Sequence, residues 1–232
     1  MAGRSPRNKT APAAEIPREV PFVVMPPIEP MLCTSAAEVP EGEGWLYEPK
    51  WDGFRAIVFR QGDALFIQSR DSRPLDRYFP ELREALLRQM PDEAVLDGEI
   101  VVATGQGLDF DALQQRLHPA ASRVNKLAKE TPSAFVAFDA LALGGEDLRE
   151  VPQSERRARL EEALSNARPP LHLTPLTRDA PTAREWLARF EGAGLDGVIA
   201  KRADGTYKPG KRAMVKTKHA RTAACAGAGF RW

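Results

Sequence analysis

Cysteine and histidine are both scarce in this sequence of 232 residues, and neither forms a recognisable metal-binding or disulfide motif. Cys33 and Cys225 lie far apart and form no Cys-x-x-Cys pair, so the sequence does not support a structural zinc site or a disulfide framework. His118, His172 and His219 are scattered without metal-ligand spacing. We expect a solvated or structural role for each histidine.

Long apolar runs are also missing. No stretch approaches the roughly 20 apolar residues that span a bilayer. The N-terminal segment, MAGRSPRNKTAPAAEIPREVP, is polar and proline-rich and lacks the apolar stretch of a signal peptide. Hydrophobic residues nevertheless make up 43% of the chain, which is enough for a core. We therefore expect a soluble, cytoplasmic protein with no membrane partner, in which residues 1–20 form a flexible extension.

The formal net charge of +1 conceals a strongly basic stretch near the C-terminus, in which Asp204 is the lone acidic residue. Its basic residues are Lys201, Arg202, Lys208, Lys211, Arg212, Lys216, Lys218 and Arg221. A stretch of this kind is typical of a surface that binds polyphosphate or a nucleic-acid backbone. For a charge run taken alone, a solvated surface face is the alternative interpretation.

Short segments rich in Val, Ile and Phe predict strands, and apolar residues at helical spacing predict helices between them. The predicted strands are 55–59, 64–69, 94–103, 134–143, 197–201 and 213–218, and the predicted helices are 78–90, 154–167 and 182–194. The turn residues RQGD at 60–63 predict an antiparallel hairpin, and Thr182 with Glu185 matches a capping box. Hairpins mixed with helices favour an α+β domain over a parallel βαβ repeat.

The most informative motif is Lys50-x-Asp-Gly-x-Arg55, which lies where a strand enters the core. A motif with four fixed positions occurs by chance on the order of once in a thousand chains of this length. A lysine amine is a nucleophile only when it is deprotonated, and desolvation or nearby cations favour that form. Lys50, held between Pro49 and Trp51, is therefore a candidate nucleophile, whereas Asp52 also suits a plain turn role.

Two further segments offer side chains suited to a nucleotide. In VLDGEIVV (95–102), Asp97 and Glu99 are two residues apart on a predicted strand, so both carboxylates face one side. Buried carboxylates need partners, and a ribose or a metal ion would provide them. In FVAFDAL (135–141), Phe138 offers a ring on which a purine would stack, although a strand phenylalanine is more commonly part of a core.

The last two segments supply charges near the basic stretch. DGVIAKR (196–202) places the acid Asp196 before the base Lys201, and MVKTK (214–218) carries Lys216 and Lys218 at strand spacing on one face. Two lysines side by side repel each other unless an anion lies between them, and a phosphate is the natural candidate.

The ordered set of these motifs resembles the nucleotidyltransferase superfamily of ATP-dependent polynucleotide ligases and capping enzymes, and most closely the small bacterial ATP-dependent DNA ligases. The resemblance runs from PPIEPMLC (26–33) to the last residue and includes SRDSR (69–73). It implies an ATP-grasp-like adenylation domain of antiparallel sheets flanked by helices over residues 21–221. It also implies that residues 222–232 are the start of a truncated OB-fold domain.

The resemblance assigns the nucleotide contacts residue by residue. Lys50 matches the nucleophile that attacks the α-phosphorus of ATP to form lysyl-AMP. Glu48 matches the residue that reads the adenine amino edge, and Phe138 matches the ring stacked on adenine. Arg55 and Arg70 match residues that contact the ribose, the phosphates or the nicked strand.

The remaining assignments concern the ribose, the phosphates and the metal. Glu99 matches the acid that holds the ribose hydroxyl and also serves as a metal ligand. Lys201, Lys216 and Lys218 match the lysines around the α-phosphate. Asp196 stands where many members have glutamate, and it is the second expected ligand of Mg²⁺ or Mn²⁺.

The family implies DNA repair and recombination, with nicked double-stranded DNA as substrate, DNA repair proteins as partners and a monomeric enzyme. AMP would pass from Lys50 to the 5′-phosphate of a nick, and the 3′-hydroxyl would then displace it. Without the OB-fold domain we expect weak sealing. Two alternatives stay open: an RNA ligase or capping-type nucleotidyltransferase, and a non-catalytic nucleic-acid-binding module. NAD-dependent ligases fit less well, because the zinc cysteines and the nicotinamide-binding unit are lacking.

Overall fold

A computed structural model describes residues 21–105, 107–189 and 195–218. The expected N-terminal extension, residues 1–20, and the expected start of an OB-fold domain, residues 222–232, both lie outside the described residues, as do Arg221, His219 and Cys225. Within the described part of the chain, no helix combines the length and the apolar character needed to cross a membrane.

The described chain alternates strands and helices. The strands are β1 (Leu32–Ala36), β2 (Trp45–Trp51), β3 (Phe54–Gln61), β4 (Ala64–Ser69), β5 (Glu93–Thr104), β6 (Gly107–Leu108), β7 (Ser133–Leu143), β8 (Glu146–Asp147), β9 (Leu171–Leu173), β10 (Leu195–Arg202) and β11 (Arg212–Lys218). The helices are α1 (Pro80–Gln89), α2 (Phe110–Gln114), α3 (Ala121–Glu130), α4 (Gln153–Ala163) and α5 (Ala180–Arg189), with a 3-10 turn at Asp76–Tyr78. All six predicted strands are confirmed, and β3 and β4 form the predicted hairpin.

The strands form two sheets. The small sheet has the order β1-β11-β10-β2, and the large sheet has the order β4-β3-β5-β7-β8, with β6 and β9 at its margins. Most pairs are antiparallel, as predicted, but β1 pairs with β11 and β9 pairs with β7 in parallel. Both parallel partners are short strands far away in sequence from the strand they join, and no hairpin constrains their direction. The fold is α+β.

The large sheet is buried on both faces, which explains its nearly continuous apolar strands. On β3, Ala56 and Val58 face a core formed with α1 and α4, whereas Ile57 and Phe59 face a second core between the two sheets. Arg55 shares the spacing of Ile57 and Phe59, so its side chain belongs to the face between the sheets.

The helices cover the outer faces of the two sheets, and α5 packs on the small sheet through Ala183, which meets Tyr47 and Val198. The predicted capping box at Thr182 is wrong, because α5 begins earlier. The Asp179 carboxylate accepts hydrogen bonds from the Thr182 backbone N–H at 2.9 Å and from its hydroxyl at 2.7 Å. An aspartate that accepts from a residue three positions on takes the N-cap role itself.

Candidate active site

A cleft of about 260 Å³ lies between the two sheets and gathers most of the predicted site residues. Of the residues singled out from the sequence, its walls include Glu48, Lys50, Arg55, Arg70, Glu99, Phe138, Lys201 and Lys216. These residues come from six different strands and one turn, which sequence spacing alone does not bring together. Asp196 and Lys218 lie beside the cleft. Asp196 contacts the cleft residue Lys50, and Lys218 contacts Asp196.

Lys50 is the next-to-last residue of β2, at the edge of the small sheet. The strand tolerates Pro49 because an edge position can dispense with a ladder hydrogen bond. The Lys50 Nζ donates a hydrogen bond to Asp196 Oδ2 at 2.9 Å, and its side chain is 22% exposed. Lys50 thus lies near the end of a strand that was not among the predicted ones, and its side chain lines the cleft.

Asp196 links two of the lysines. Its Oδ2 also lies 2.6 Å from the Lys218 Nζ. Burial acts to raise the pKa of Asp196, but the hydrogen bonds from Lys218 and Lys50 outweigh it and hold that pKa below its usual value. Gly197, the next residue, lets the backbones of β10 and β11 lie close together, because a Cβ there would lie 2.1 Å from the Thr217 carbonyl oxygen. The glycine that follows Asp196 therefore has a steric reason.

Arg55 and Asp97 form a buried ion pair at the floor of the cleft. The Arg55 Nε and Nη2 donate to the two Asp97 oxygens at 2.8 and 2.6 Å, and the Tyr207 hydroxyl donates to Oδ2 at 2.7 Å. Burial acts against the charged guanidinium, but Asp97 outweighs it, so the pKa of Arg55 lies above its usual value. Asp97 thus has a protein cation as its partner, and not the ribose or metal ion expected from the sequence.

Glu99 lies opposite Arg55 across β3 and β5 and is only partly buried by its neighbours. Its carboxylate accepts no hydrogen bond from any residue that the structure describes. Burial raises its pKa to about 7, while Arg55 and Lys50 act in the opposite direction. The charge of Glu99 is thus stabilised by nearby cations but not by a hydrogen bond from a described residue. Such a carboxyl group is suited to accept a hydrogen bond from a ligand or to bind a cation.

Glu48 and Lys201 form a second buried pair, on adjacent strands of the small sheet. The Lys201 Nζ lies 2.8 Å from Glu48 Oε2 and donates to the Phe138 carbonyl oxygen at 2.9 Å. Burial raises the pKa of Glu48, and Lys201 and Arg157 act to lower it. Lys201, predicted from a basic stretch, is therefore almost fully buried and ion-paired, which contradicts a plain solvated surface for that residue.

Phe138 lies among cations, with the Arg55 Cζ 4.8 Å and the Lys201 Nζ 4.9 Å from its ring centroid. These distances are typical of cation–π contacts, which fix the ring and leave it as a wall of the cleft. Lys216 on β11 lines the same space, whereas Arg70 follows the end of β4 and is exposed at the rim.

The predicted metal ligands, Glu99 and Asp196, stay a prediction. Nowhere in residues 21–105, 107–189 and 195–218 do three or more His, Cys, Asp or Glu side chains group closely enough to hold an ion by themselves.

Sequence reasoning missed several residues that shape the site. Ile199 and Met214 form apolar wall positions of the cleft. They lie two residues before Lys201 and Lys216, so strand spacing would have found them. Tyr207 and Arg157 come from a loop and from α4, and no local pattern in the sequence connects them to Asp97 or Glu48.

Comparison with known proteins identifies the family to which the chain belongs. A family model described as the ATP-dependent DNA ligase domain matches residues 30–218. The chain is 59% identical over 208 residues to "DNA ligase C2" of Mycolicibacterium smegmatis and 54% identical over 212 residues to "DNA ligase C" of Mycobacterium tuberculosis. Each alignment covers 90% of this chain, but only 58% and 59% of those proteins. The chain thus spans less than two thirds of the length of these curated relatives.

A solved structure shows the same fold. The structure described as "mycobacterial DNA ligase D complexed with ATP and MES" superposes with a TM-score of 0.63 at 33% sequence identity and covers 83% of this chain and 60% of its own chain. The family model covers most of the chain and includes every strand that lines the cleft. The chain belongs to the family of ATP-dependent DNA ligase domains.

Proposed function

We propose that this chain is the adenylation part of an ATP-dependent DNA ligase and that Lys50 is its nucleophile. The observation that carries the proposal is the position of the Lys50 amine, which lies in a cleft walled by Glu48, Glu99 and Phe138. Purine, ribose and phosphate each find a suitable group within this one cleft.

The first step is a nucleotidyl transfer to nitrogen. The lone pair of the Lys50 Nζ attacks the α-phosphorus of ATP, a P–N bond forms, the bond to the bridging oxygen breaks, and pyrophosphate leaves. The nitrogen releases one proton to solvent as the P–N bond forms, which leaves a neutral phosphoramidate nitrogen. Positioning and charge neutralisation are the main requirements of such a transfer. Asp196 fixes the amine by its hydrogen bond to Nζ, so the nucleophile has one defined direction of approach.

The nucleoside contacts follow from the walls of the cleft. Glu48 offers a carboxylate oxygen to the adenine amino group, and Phe138 offers its ring to the face of the base. Glu99 is placed to accept a hydrogen bond from a ribose hydroxyl. Ile199 and Met214 supply apolar surface, which favours a flat purine over a hydrated ion.

The phosphate contacts come from cations. Lys216, Lys201 and Arg55 line the cleft, and Lys218 contacts the same Asp196 oxygen as Lys50 does. Fixed cations stabilise charge that develops on non-bridging oxygens in the transition state. Glu99 and Asp196 are the carboxylates that would hold Mg²⁺ or Mn²⁺, which supplies further neutralisation of phosphate charge when it is bound.

The later steps act on DNA and are proposed for the complete protein. A 5′-phosphate oxygen at the nick attacks the phosphorus of lysyl-AMP, which frees Lys50, and the 3′-hydroxyl then displaces AMP to form the phosphodiester. Arg70, exposed at the rim, is suited to contact the nicked strand. Action as a monomer on nicked double-stranded DNA, together with repair proteins in the cytoplasm, belongs to the same proposal. So does the division into residues 1–20, 21–221 and 222–232.

The direct test is transfer of label from [α-³²P]ATP to the protein in the presence of Mg²⁺. We expect one label per chain, which is stable to alkali and labile to acid as a phosphoramidate is. Lys50→Ala should abolish labelling, because no other amine takes its place. Lys126→Ala is the matched control, since Lys126 is exposed and pairs with Glu130 on its own helix.

The same assay separates the alternatives. Competition by unlabelled GTP as strong as that by ATP would favour a capping-type enzyme, and transfer to nicked RNA but not to nicked DNA would favour an RNA ligase. Labelling of the Lys50→Ala protein at the wild-type level would remove the nucleophile from the proposal. Absence of labelling with intact nucleotide binding would favour the non-catalytic module.

A further inference from the structure

Two buried polar atoms beside the cleft face each other without a hydrogen bond. Glu48 Oε1 and the Arg157 Nη1 are both inaccessible to solvent, and neither has a hydrogen-bond partner among the described residues. They lie 3.6 Å apart, which is an ion-pair distance but too long for a hydrogen bond. Buried unpaired atoms are uncommon in folded proteins, and each one calls for an explanation.

Arg157 is held firmly on its other sides. The Nε donates to Glu161 Oε1 at 2.7 Å, and the Nη2 donates to the Thr174 carbonyl oxygen at 2.7 Å. Its side chain is only 7% exposed. The guanidinium therefore cannot follow a moving partner, and its third nitrogen presents a fixed positive charge to Glu48.

Glu48 is held on one side only. Its Oε2 lies 2.8 Å from the Lys201 Nζ, and the residue lines the cleft. Oε1 is the carboxylate oxygen with the weaker contact, the one to Arg157 at 3.6 Å. The Glu48 carboxylate therefore lies between two cations, and its Oε1 accepts no hydrogen bond from the described residues.

We propose that Arg157 is a positioning residue for base recognition: together with Lys201 it keeps Glu48 as a pure acceptor, so that the Glu48 carboxylate selects a purine that carries an amino group at position 6. This proposal rests on the proposed function and adds a specificity determinant to it. The physical reason is protonation. Burial raises the pKa of Glu48, and a protonated Glu48 would donate a hydrogen bond and lose its preference for an amino group over a carbonyl or a hydrogen.

The test compares two nucleotides in the wild-type protein and in Arg157→Met, which keeps the length of the side chain but removes its charge. The nucleotides are ATP and purine ribonucleoside triphosphate, which lacks the 6-amino group. A hydrogen bond to a charged acceptor corresponds to a preference of about tenfold or more. We expect the wild type to prefer ATP by about that factor in kcat/KM for self-adenylation, and Arg157→Met to prefer it by less than about threefold, with the change in KM for ATP.

Two measurements distinguish a positioning role of Arg157 from a purely structural one. Raising the pH should restore the preference for ATP in Arg157→Met, because Glu48 ionises again, and Arg157→Lys should retain much of it. Arg159→Met is the matched control, since Arg159 lies on the same helix but is partly exposed, away from Glu48, and pairs with Glu146 and Glu155. It should behave as the wild type.

The outcomes separate this inference from the proposed function. If the wild type is adenylated and Arg157→Met loses activity equally with both nucleotides, the inference is wrong and the proposed function stands. If the wild type forms no adenylate with either nucleotide, the proposed function fails. The inference is then decided by equilibrium binding of the same two nucleotides, where an unchanged ratio in Arg157→Met overturns it and a reduced ratio supports it.

Discussion

Replacing Glu99 by Gln should make the protein more stable, in a manner that depends on pH. The folded structure raises the pKa of this carboxyl from 4.5 to about 7, chiefly through burial. Each pKa unit corresponds to about 1.4 kcal/mol, so ionised Glu99 lowers the free energy of unfolding by about 3 kcal/mol. Glutamine has nearly the shape of the protonated acid and avoids this cost.

The direction of the pH dependence follows from the linkage between proton binding and folding. A group whose pKa is raised on folding contributes fully to stability below its unfolded pKa of 4.5, and that contribution is lost as the pH rises through about 7. Glu99→Gln and wild type should therefore have equal free energies of unfolding near pH 4. The variant should be more stable by about 3 kcal/mol above pH 8.

Urea denaturation of both proteins between pH 4 and 8.5, without nucleotide or divalent cation, measures this difference. Glu162→Gln is a suitable control, because Glu162 is exposed on α4. A difference that is the same at every pH, or a wild type that is the more stable protein at pH 8, would show that burial does not raise the pKa of Glu99. Greater stability of Glu99→Gln combined with lost self-adenylation would show that this buried acid is kept for function at the expense of stability.

Two further substitutions test the packing around the cleft. Asp97→Asn removes the charge that compensates Arg55 and should lower the free energy of unfolding by about 3 kcal/mol or more in urea denaturation; an effect below about 1 kcal/mol would show that this ion pair does not hold the cleft. Gly98→Ala would bring a Cβ within 2.4 Å of the Phe135 ring and 2.6 Å of the Val136 carbonyl oxygen. It should cost about 2 kcal/mol in the same assay, whereas Gly105→Ala, which has open space around it, should be nearly neutral.

The sequence predicted the strands of the large sheet well because burial on both faces leaves long apolar runs. β5 is such a case: Leu96 and Ile100 enter one core while Val95 enters the other. Prediction from the sequence failed for elements whose apolar spacing is interrupted or sparse. β2 was not outlined as a strand because Pro49 interrupts it, and α3 was missed because Val124 is its one buried residue.

The site was predictable where a residue type must do a specific chemical task, and unpredictable where residues meet only through the fold. Lys50, Glu99 and Phe138 belong to short ordered motifs, and the structure brings them into one cleft. The residues that pair with the buried carboxylates were not predictable in this way. Arg157 meets Glu48 from a separate helix, and Tyr207 meets Asp97 from a loop, so only three-dimensional contacts reveal these pairs.

Two carboxyl groups that interact with Lys50 have pKa values shifted in opposite directions, which assigns them different roles. Asp196 has a lowered pKa, because hydrogen bonds from Lys218 and Lys50 outweigh its burial, whereas the pKa of Glu99 is raised to about 7. Asp196 is then a fixed charge at neutral pH, and Glu99 is the carboxyl that changes protonation. We expect the rate of self-adenylation to rise through about pH 7 as Glu99 ionises. Asp196→Asn should lower this rate at every pH and leave the midpoint in place, and a midpoint displaced by a full pH unit in that variant would assign the titration to Asp196 instead.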